Sequence, residues 1–326
     1  MQVLVTGASG FIGSRLVERL DRMGMRVRAL VRRGVLSRSV QQCERIRGDV
    51  TVLETLYSAV QGCEVIFHCA WGGNSLAEAR RINVSGTRNV LAAAAAGVSR
   101  IVHLSSMAVH GRKLPALLTE EHPLQFQGEA YTVSKAEGER VAVELGAAYG
   151  VQIVVLRPTL VYGPQSPLWL LSYFERVKQE QLALIDGGTG LANLVYIDDL
   201  IDAMCTAAQR PGITGQAFLI SGAEPVPWRQ YISHLAQMCH KPLPPSIPRW
   251  RAWLEMHGAR VYSVLTQHPR RLLGMDLANM TQHTTVSIAK AQQLLAYTPR
   301  ISLAEGMQRS EAWLRQAGYL PCARAC

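Results

Sequence analysis

Tyr131 and Lys135 stand four residues apart in the segment Ala130-Tyr-Thr-Val-Ser-Lys135. If this segment is helical, the spacing puts both side chains on one face, with the phenol beside the ammonium group. A neighbouring positive charge favours the phenolate and draws the pKa of a tyrosine, ordinarily about 10, toward the working pH. The pair therefore predicts a group that can transfer a proton, although a surface pair without function would show the same spacing.

Two adjacent hydroxyl side chains precede this pair. Ser105 and Ser106 follow an apolar run at 101–104 that is typical of a buried strand. Ligands of an open parallel α/β sheet bind at the carboxyl ends of its strands, so a hydroxyl at this place could hold a substrate oxygen. Capping of a following helix is the other role open to either serine.

A glycine-rich turn lies close to the amino terminus. Gly7, Gly10 and Gly13 separate the apolar run 3–5 from a helical stretch at 11–23, in the spacing G-x-x-G-x-x-G. Glycines at such a strand-to-helix turn let the backbone approach a diphosphate at the helix N-terminus. The sequence therefore predicts a dinucleotide site at this turn.

The end of the second apolar run carries Arg32 and Arg33, where a site for NAD usually offers a carboxylate to the ribose hydroxyls. Guanidinium groups match phosphate geometry, so Arg32, with Arg33 as a possible helper, favours the 2′-phosphate of NADP(H). NAD(H) stays possible, since both arginines could simply be solvated on a surface loop. Asp49, followed by Val50, could accept a hydrogen bond from the adenine amino group or cap the next helix.

The order of apolar and helical segments predicts an α/β fold with a Rossmann-like, doubly wound parallel sheet. Runs rich in Val, Ile and Leu lie at 3–5, 27–31, 65–67, 101–104 and 153–156, and helical stretches at 11–23, 78–96 and 130–149. We expect residues 1–165, with roughly 190–220 returning to them, to form the cofactor-binding domain. Residues 166–189 and 221–326 would form a smaller, mostly C-terminal substrate-binding lobe.

The composition of the chain limits which binding partners we expect among nucleic acids, metal ions and membranes. The formal net charge is +10, but the basic residues are scattered in short pairs without a basic run, so nucleic acid is disfavoured. The seven cysteines include no CxxC pair and no spacing suited to zinc, so we expect no metal site and reduced thiols. No apolar run approaches the roughly 18 residues that a membrane span needs, and the expected location is cytoplasmic.

The motifs taken together resemble the extended short-chain dehydrogenase/reductase superfamily, which includes NAD(P)-dependent epimerases and dehydratases and 3β-hydroxysteroid-dehydrogenase-like enzymes. They occur in family order across almost the whole chain: TGASGFIG at 6–13, Asp49, His68-Cys-Ala70, Asn83-Val-Ser-Gly-Thr87, Ser105-Ser106, YTVSK, LRPTLVYGP at 156–164 and Val195-Tyr-Ile-Asp-Asp199.

This resemblance implies specific roles. Tyr131 would be the general acid/base, and Lys135 would hold the nicotinamide ribose and depress the pKa of the tyrosine. Ser106, five residues before Gly111, would bind the reacting oxygen. The pyrophosphate would be contacted by the residues of the glycine turn, namely Gly7, Ser9, Gly10, Phe11, Ile12 and Gly13. Cys69 and Ala70, with His68, would line the ribose side, Pro158 and Val161 would pass beside the nicotinamide, and Asn83 would brace this arrangement or merely pack a helix.

Within this superfamily we expect hydride transfer between the nicotinamide and a ketone or secondary alcohol. Dehydration is disfavoured, because Met107-Ala-Val109 lacks the acidic residues that dehydratases need. The stretch 190–195 lacks the arginine that commonly binds a sugar-nucleotide diphosphate, although Arg229, Arg249 or Arg251 could replace it. A hydrophobic or mixed-polarity substrate is favoured by an apolar segment that resembles the substrate-covering helices of the hydroxysteroid-dehydrogenase-like branch. It contains Trp250, Trp253, Leu254, Met256, Tyr262 and Leu265, each of which could instead pack in the core.

Two alternatives remain open at this stage. A nucleotide-sugar epimerase would use the same site with only transient oxidation of its substrate. A non-catalytic protein that senses dinucleotide is the alternative from another class, and the joint presence of Ser106, Tyr131 and Lys135 argues against it. The superfamily also makes a homodimer possible.

Overall fold

The structure is a computed structural model that describes residues 1–32, 43–266 and 274–321, without the side chains of residues 258–276. A seven-stranded sheet forms its centre, in the order β7-β6-β5-β4-β1-β2-β3, with every neighbouring pair parallel. Its strands are β1 (Gln2–Thr6), β2 (Arg26–Val31), β3 (Glu44–Arg47), β4 (Val65–His68), β5 (Arg100–Leu104), β6 (Gln152–Pro158) and β7 (Ala217–Ile220). The predicted fold class is thus confirmed.

The strands are apolar on both faces because helices cover both sides of the sheet. On one face Val3, Val5 and Phe67 belong to the larger core, and on the other Leu4 and Ile66 belong to a second core. Near-continuous Val, Ile and Leu runs are what a parallel sheet buried on both faces requires. The same burial explains why the sequence pattern located these strands.

Twelve helices surround the sheet in the described part of the chain. They are α1 (Phe11–Arg22), α2 (Glu54–Val60), α3 (Leu76–Arg80), α4 (Gly86–Ala94), α5 (Ala130–Tyr149), α6 (Tyr173–Lys178), α7 (Ile197–Gln209), α8 (Trp228–Met238), α9 (Arg249–Thr266), α10 (Gly274–Met280), α11 (Ala289–Leu295) and α12 (Leu303–Gln316). A π-helical segment, Arg81–Ser85, joins α3 to α4, so the helical stretch expected at 78–96 is one interrupted helix. No described helix is long and apolar enough to cross a membrane.

Short two-stranded pairs lie outside the main sheet. Leu160–Tyr162 pairs with Leu194–Tyr196, Leu117–Leu118 with Thr285–Val286, Leu184–Ile185 with Ser246–Ile247, and Leu191–Ala192 with Val226–Pro227. The first two of these pairs bring the C-terminal half of the chain back to the segments that follow β6 and β5. Helix α7 packs beside α1, since Arg15 of α1 binds Asp198 at 2.7 Å and Arg19 binds Asp202 at 2.5 Å.

The strand order reverses between β1 and β4. From β1 the chain runs outward through β2 to β3, and from β4 it runs the opposite way through β5, β6 and β7. The loops after β1 and β4 therefore diverge, and in doubly wound folds the resulting crevice at the carboxyl edge is where ligands bind.

Candidate active site

The glycine-rich turn after β1 is set by close backbone contacts. Gly7 has a φ of +67°, and a Cβ there would lie 2.8 Å from backbone atoms of Cys69 and Ala70. A Cβ on Gly13 would meet the Gly7 carbonyl oxygen at 2.1 Å. Only glycine allows β1, α1 and the end of β4 to approach this closely.

The N-terminus of α1 has the features of an anion site. Ser9 and Gly10 are exposed. The N-cap residue is Gly10, so no side chain caps the first amides of the helix, and the first turn holds no acidic residue. The first-turn amides of Phe11, Ile12 and Gly13 lack acceptors within the helix, and the helix dipole adds positive potential. The residues present thus fit the diphosphate of a dinucleotide.

The predicted adenosine side is only partly described. Arg32 is exposed at the end of β2, at the same sheet edge as the glycine turn, whereas Arg33 lies outside the described residues. Asp49 accepts from the amide and hydroxyl of Thr51, both at 2.9 Å, so it caps a local turn and not α2, which begins at Glu54. Val50 is buried in the core.

The end of β4 is held by buried polar contacts. His68 lies between the hydroxyls of Thr6, at 2.8 Å, and Thr87, at 3.0 Å. Burial, with a smaller effect of the Lys135 charge, lowers the pKa of His68 to about 3, so the ring is neutral. Cys69 is buried, which raises the pKa of its thiol to about 12, and the amide of Ala70 donates to Thr6 at 3.3 Å.

Helix α5 carries Tyr131 and Lys135 to the carboxyl edge of β5. The hydroxyl of Ser106 lies close enough to the Tyr131 phenol to lower its pKa, but desolvation acts more strongly, and the net pKa is raised. Lys135 donates to the Leu104 carbonyl at 2.5 Å, and burial lowers the pKa of its amine to about 8. The pKa of the phenol is thus raised although 39% of the side chain is exposed, and it does not show the depression by Lys135 that the family resemblance implies.

Comparison with known proteins fixes the family. Residues 3–221 match the model of the NAD dependent epimerase/dehydratase family. The chain belongs to this family. It is accordingly an enzyme of the NAD(P)-dependent oxidoreductase or epimerase class with a nicotinamide cofactor.

Two curated relatives of this family member are reductases. The chain is 31% identical to the 4-hydroxy-2-methyl-3-oxo-4-farnesyl-3,4-dihydroquinoline-1-oxide ketoreductase of Stigmatella aurantiaca, over 98% of this chain and 97% of the relative. It is 30% identical to the 2-alkyl-3-oxoalkanoate reductase of Stenotrophomonas maltophilia strain K279a, over 96% of this chain and 99% of the relative. Among solved structures, MoeE5 with UDP-glucuronic acid and NAD is similar at a TM-score of 0.78 and 26% identity, over 97% of this chain and all (100%) of that one.

The two adjacent serines of this epimerase/dehydratase family member have different surroundings. Ser105 is buried and donates to Glu139 at 2.6 Å, whereas Ser106 is only partly buried, caps the 3₁₀ helix Met107–His110 and lies near enough to Tyr131 to influence its pKa. Ser106 is therefore the serine that a substrate oxygen at Tyr131 would meet. Pro158 and Val161 are buried where β6 ends, and Asn83 bonds Ser134 of α5 at 3.0 Å.

Sequence reasoning did not identify the buried pair Glu139 and Arg157, which joins α5 to β6 at 2.5 Å. Two signals in the sequence pointed to it: a charged residue at the end of the apolar run of β6, and a carboxylate one helical turn after Lys135.

Of the expected substrate-facing residues, Trp250, Trp253 and Leu254 are exposed on α9. The side chains of Tyr262 and Leu265 lie outside the described residues.

Proposed function

We propose that this protein is a ketoreductase that uses NADP(H) to interconvert a ketone and a secondary alcohol, with Tyr131 as general acid/base. The placement of three groups at the carboxyl edge of the sheet carries this proposal: Ser106 lies two residues after β5, Tyr131 lies in the first turn of α5, and Lys135 donates to the Leu104 carbonyl at the end of β5. The glycine turn that fits a diphosphate lies at the same edge, after β1. A phenol, a hydroxyl and a dinucleotide site on one sheet edge are the groups that carbonyl reduction requires.

The nicotinamide, when bound, supplies or accepts the hydride, and the protein handles the proton. In reduction, Ser106 and Tyr131 would both hydrogen-bond the carbonyl oxygen, and the Tyr131 hydroxyl would give its proton to that oxygen as it becomes an alcohol. A tyrosine phenol, with an ordinary pKa of about 10, is protonated at neutral pH and so has a proton to donate. Lys135, buried beneath the site, would bind the nicotinamide ribose, and its charge would stabilise the phenolate left behind.

The choice of a ketone as substrate rests on the relatives and on the sequence. Both curated relatives are named for reduction of an oxo compound that carries an alkyl or farnesyl group. The chain lacks acidic residues at 107–109 and arginine at 190–195, which disfavours dehydration and binding of a sugar nucleotide. We accordingly propose an apolar or mixed-polarity ketone, bound between a cofactor domain (1–165 with 190–220) and a substrate lobe (166–189 and 221–326).

Epimerisation of a nucleotide sugar is the second candidate, because a structure at 26% identity was solved with UDP-glucuronic acid and NAD. Both candidates use the same tyrosine and differ in net redox change. A family member that only senses dinucleotide would show neither reaction.

The test follows the absorbance of the reduced nicotinamide with 3-oxo esters and UDP-sugars, for wild type and Tyr131→Phe. Tyr149→Phe is the matched control, since Tyr149 is an exposed tyrosine at the other end of α5. We expect Tyr131→Phe to lose about a hundredfold or more of ketone reduction and Tyr149→Phe to lose none. Sugar products without net cofactor change would establish the epimerase, and cofactor binding without any turnover would establish the sensor.

A further inference from the structure

Trp71 is the exposed aromatic residue that stands against the catalytic tyrosine. It follows β4 by three residues, at the carboxyl edge of the sheet, and its side chain is 61% exposed. Its ring contacts Tyr131 edge to face, with 5.5 Å between ring centroids and 75° between ring planes. Tyr131 itself is 39% exposed, so the two rings together form one solvent-exposed apolar surface next to the Tyr131 hydroxyl.

The backbone next to Trp71 is fixed to the catalytic helix. Asn83 accepts from the Gly72 amide at 3.1 Å and donates to the Gly72 carbonyl at 3.4 Å. The same side-chain amide donates to Ser134 at 3.0 Å, and Ser134 donates to the Tyr131 carbonyl at 3.2 Å. Asn83 thereby sets the position of the Trp71 loop relative to Tyr131.

A single exposed aromatic side chain on a protein surface needs no explanation. Trp71 differs because a ligand whose oxygen reaches Tyr131 and Ser106 must lie beside the indole ring. An indole offers a large rigid apolar surface at little cost in conformational entropy, so a ligand that covers it gains affinity from buried apolar area. The indole is thus placed to contact whatever is attached to the reacting carbonyl.

We propose that Trp71 is a specificity-determining residue that packs against the apolar chain or ring next to the substrate carbonyl. This inference rests on the proposed ketoreductase function and names the part of the substrate that the site selects. Long-chain or ring ketones would bind through Trp71, and short ketones would gain little from it.

The experiment measures binding and not turnover. Enzyme saturated with NADP⁺ is titrated by calorimetry with ethyl acetoacetate and with its long-chain homologue ethyl lauroylacetate. The proteins are wild type, Trp71→Ala, Trp71→Phe and the control Tyr57→Ala, which removes an aromatic residue that is 53% exposed on α2. We expect Trp71→Ala to weaken binding of the long ester about tenfold without weakening binding of NADP⁺ or the short ester. Trp71→Phe should retain most of the affinity.

Equal binding of the long ester by wild type and Trp71→Ala, including no binding by either, overturns the inference. An equal loss for both esters, or a loss explained by weaker NADP⁺ binding, overturns it as well. If the long ester binds through Trp71 but wild type does not reduce it in the absorbance assay with reduced nicotinamide, the inference stands and the proposed ketoreductase function fails. If reduction occurs with a chain-length preference that Trp71→Ala leaves unchanged, the ketoreductase function stands and the role of Trp71 fails.

Discussion

Glu139 and Arg157 form an ion pair at 2.5 Å in which the side chains are only 4% and 7% exposed. Glu139 lies on α5, eight residues after Tyr131, and Arg157 lies near the end of β6. Ser105 also donates to Glu139, and Arg157 donates to the Glu120 carbonyl at 3.1 Å. The pair thus fixes α5, the helix that carries Tyr131, to strand β6.

Glu139→Gln should destabilise the protein strongly. The substitution keeps the shape of the side chain but leaves the buried Arg157 guanidinium without a counter-charge. Removal of one partner of a buried pair costs about 3–5 kcal/mol of unfolding free energy. Urea unfolding followed by circular dichroism measures this change.

Glu144→Gln, on the same helix, is the matched control for Glu139→Gln. Glu144 pairs with Arg140 at 3.7 Å, with side chains that are 63% and 54% exposed. An exposed pair of this kind contributes at most about 1 kcal/mol. A double variant, Glu139→Leu with Arg157→Met, should lose less than Glu139→Gln, because it leaves no unpaired charge. Equal losses for Glu139→Gln and Glu144→Gln would contradict the role assigned to the buried pair.

His103→Phe should make the protein less sensitive to acid. His103 lies buried on β5, and neither ring nitrogen has a hydrogen-bond partner among the described residues. Burial, with smaller effects of the neighbouring His68 and Lys135, lowers the pKa of His103 well below its ordinary 6.5. Because the unfolded chain takes up a proton near pH 6.5 and the folded one does not, wild type loses stability as the pH falls through 6.5.

The variant should recover this loss. Between pH 7.5 and 5.5 the histidine contributes about 1.4 kcal/mol of destabilisation, which a phenylalanine does not. The measurement is the unfolding free energy of wild type and His103→Phe at both pH values. His283→Phe, at an exposed histidine, is the control. A wild type and a His103→Phe variant with the same pH dependence would show that His103 is protonated equally in both states.

The sequence predicted the parts of this structure that depend on local pattern. Buried strands of Val, Ile and Leu, and the glycine turn before α1, are visible as periodicity and spacing because both faces of the sheet are covered. The same reasoning placed Tyr131, Lys135 and Ser106 on elements that converge at the carboxyl edge. The fold class and the family were confirmed, while the role of each site residue stays a prediction.

Contacts between distant segments could not be predicted in this way. Glu139 and Arg157 are 18 residues apart and meet only because α5 packs on β6. Trp71 reaches Tyr131 because Asn83 holds its loop, and no spacing in the sequence shows that contact. The direction of the Tyr131 pKa also depends on desolvation, which only the packed site determines.

Lys135→Met should reveal how much unfolding free energy is lost because the Lys135 amine is buried. Burial, which outweighs the nearby Cys69 and Glu139, lowers the pKa of Lys135 from 10.5 to about 8 in the folded protein. Between these values the unfolded chain binds more protons than the folded one, so wild type gains stability as the pH rises. Relative to Lys135→Met, which cannot titrate, wild type should gain about 2 kcal/mol from pH 7 to 9.5. Urea unfolding without cofactor at both pH values measures this gain, and no gain would mean that the amine remains charged when buried.

Arg32→Glu should shift the cofactor preference from NADPH toward NADH. Arg32 is exposed at the end of β2, where a guanidinium could bind the 2′-phosphate of NADP and a carboxylate could bind ribose hydroxyls. Charge-assisted hydrogen bonds to a phosphate support a loss of about tenfold to a hundredfold in NADPH affinity. Arg26→Glu is the matched control, since Arg26 is an exposed arginine at the opposite end of the same strand. Because both variants change the net charge equally, a loss of NADPH affinity confined to Arg32→Glu would be local, whereas equal losses would reflect only the overall positive field of the protein.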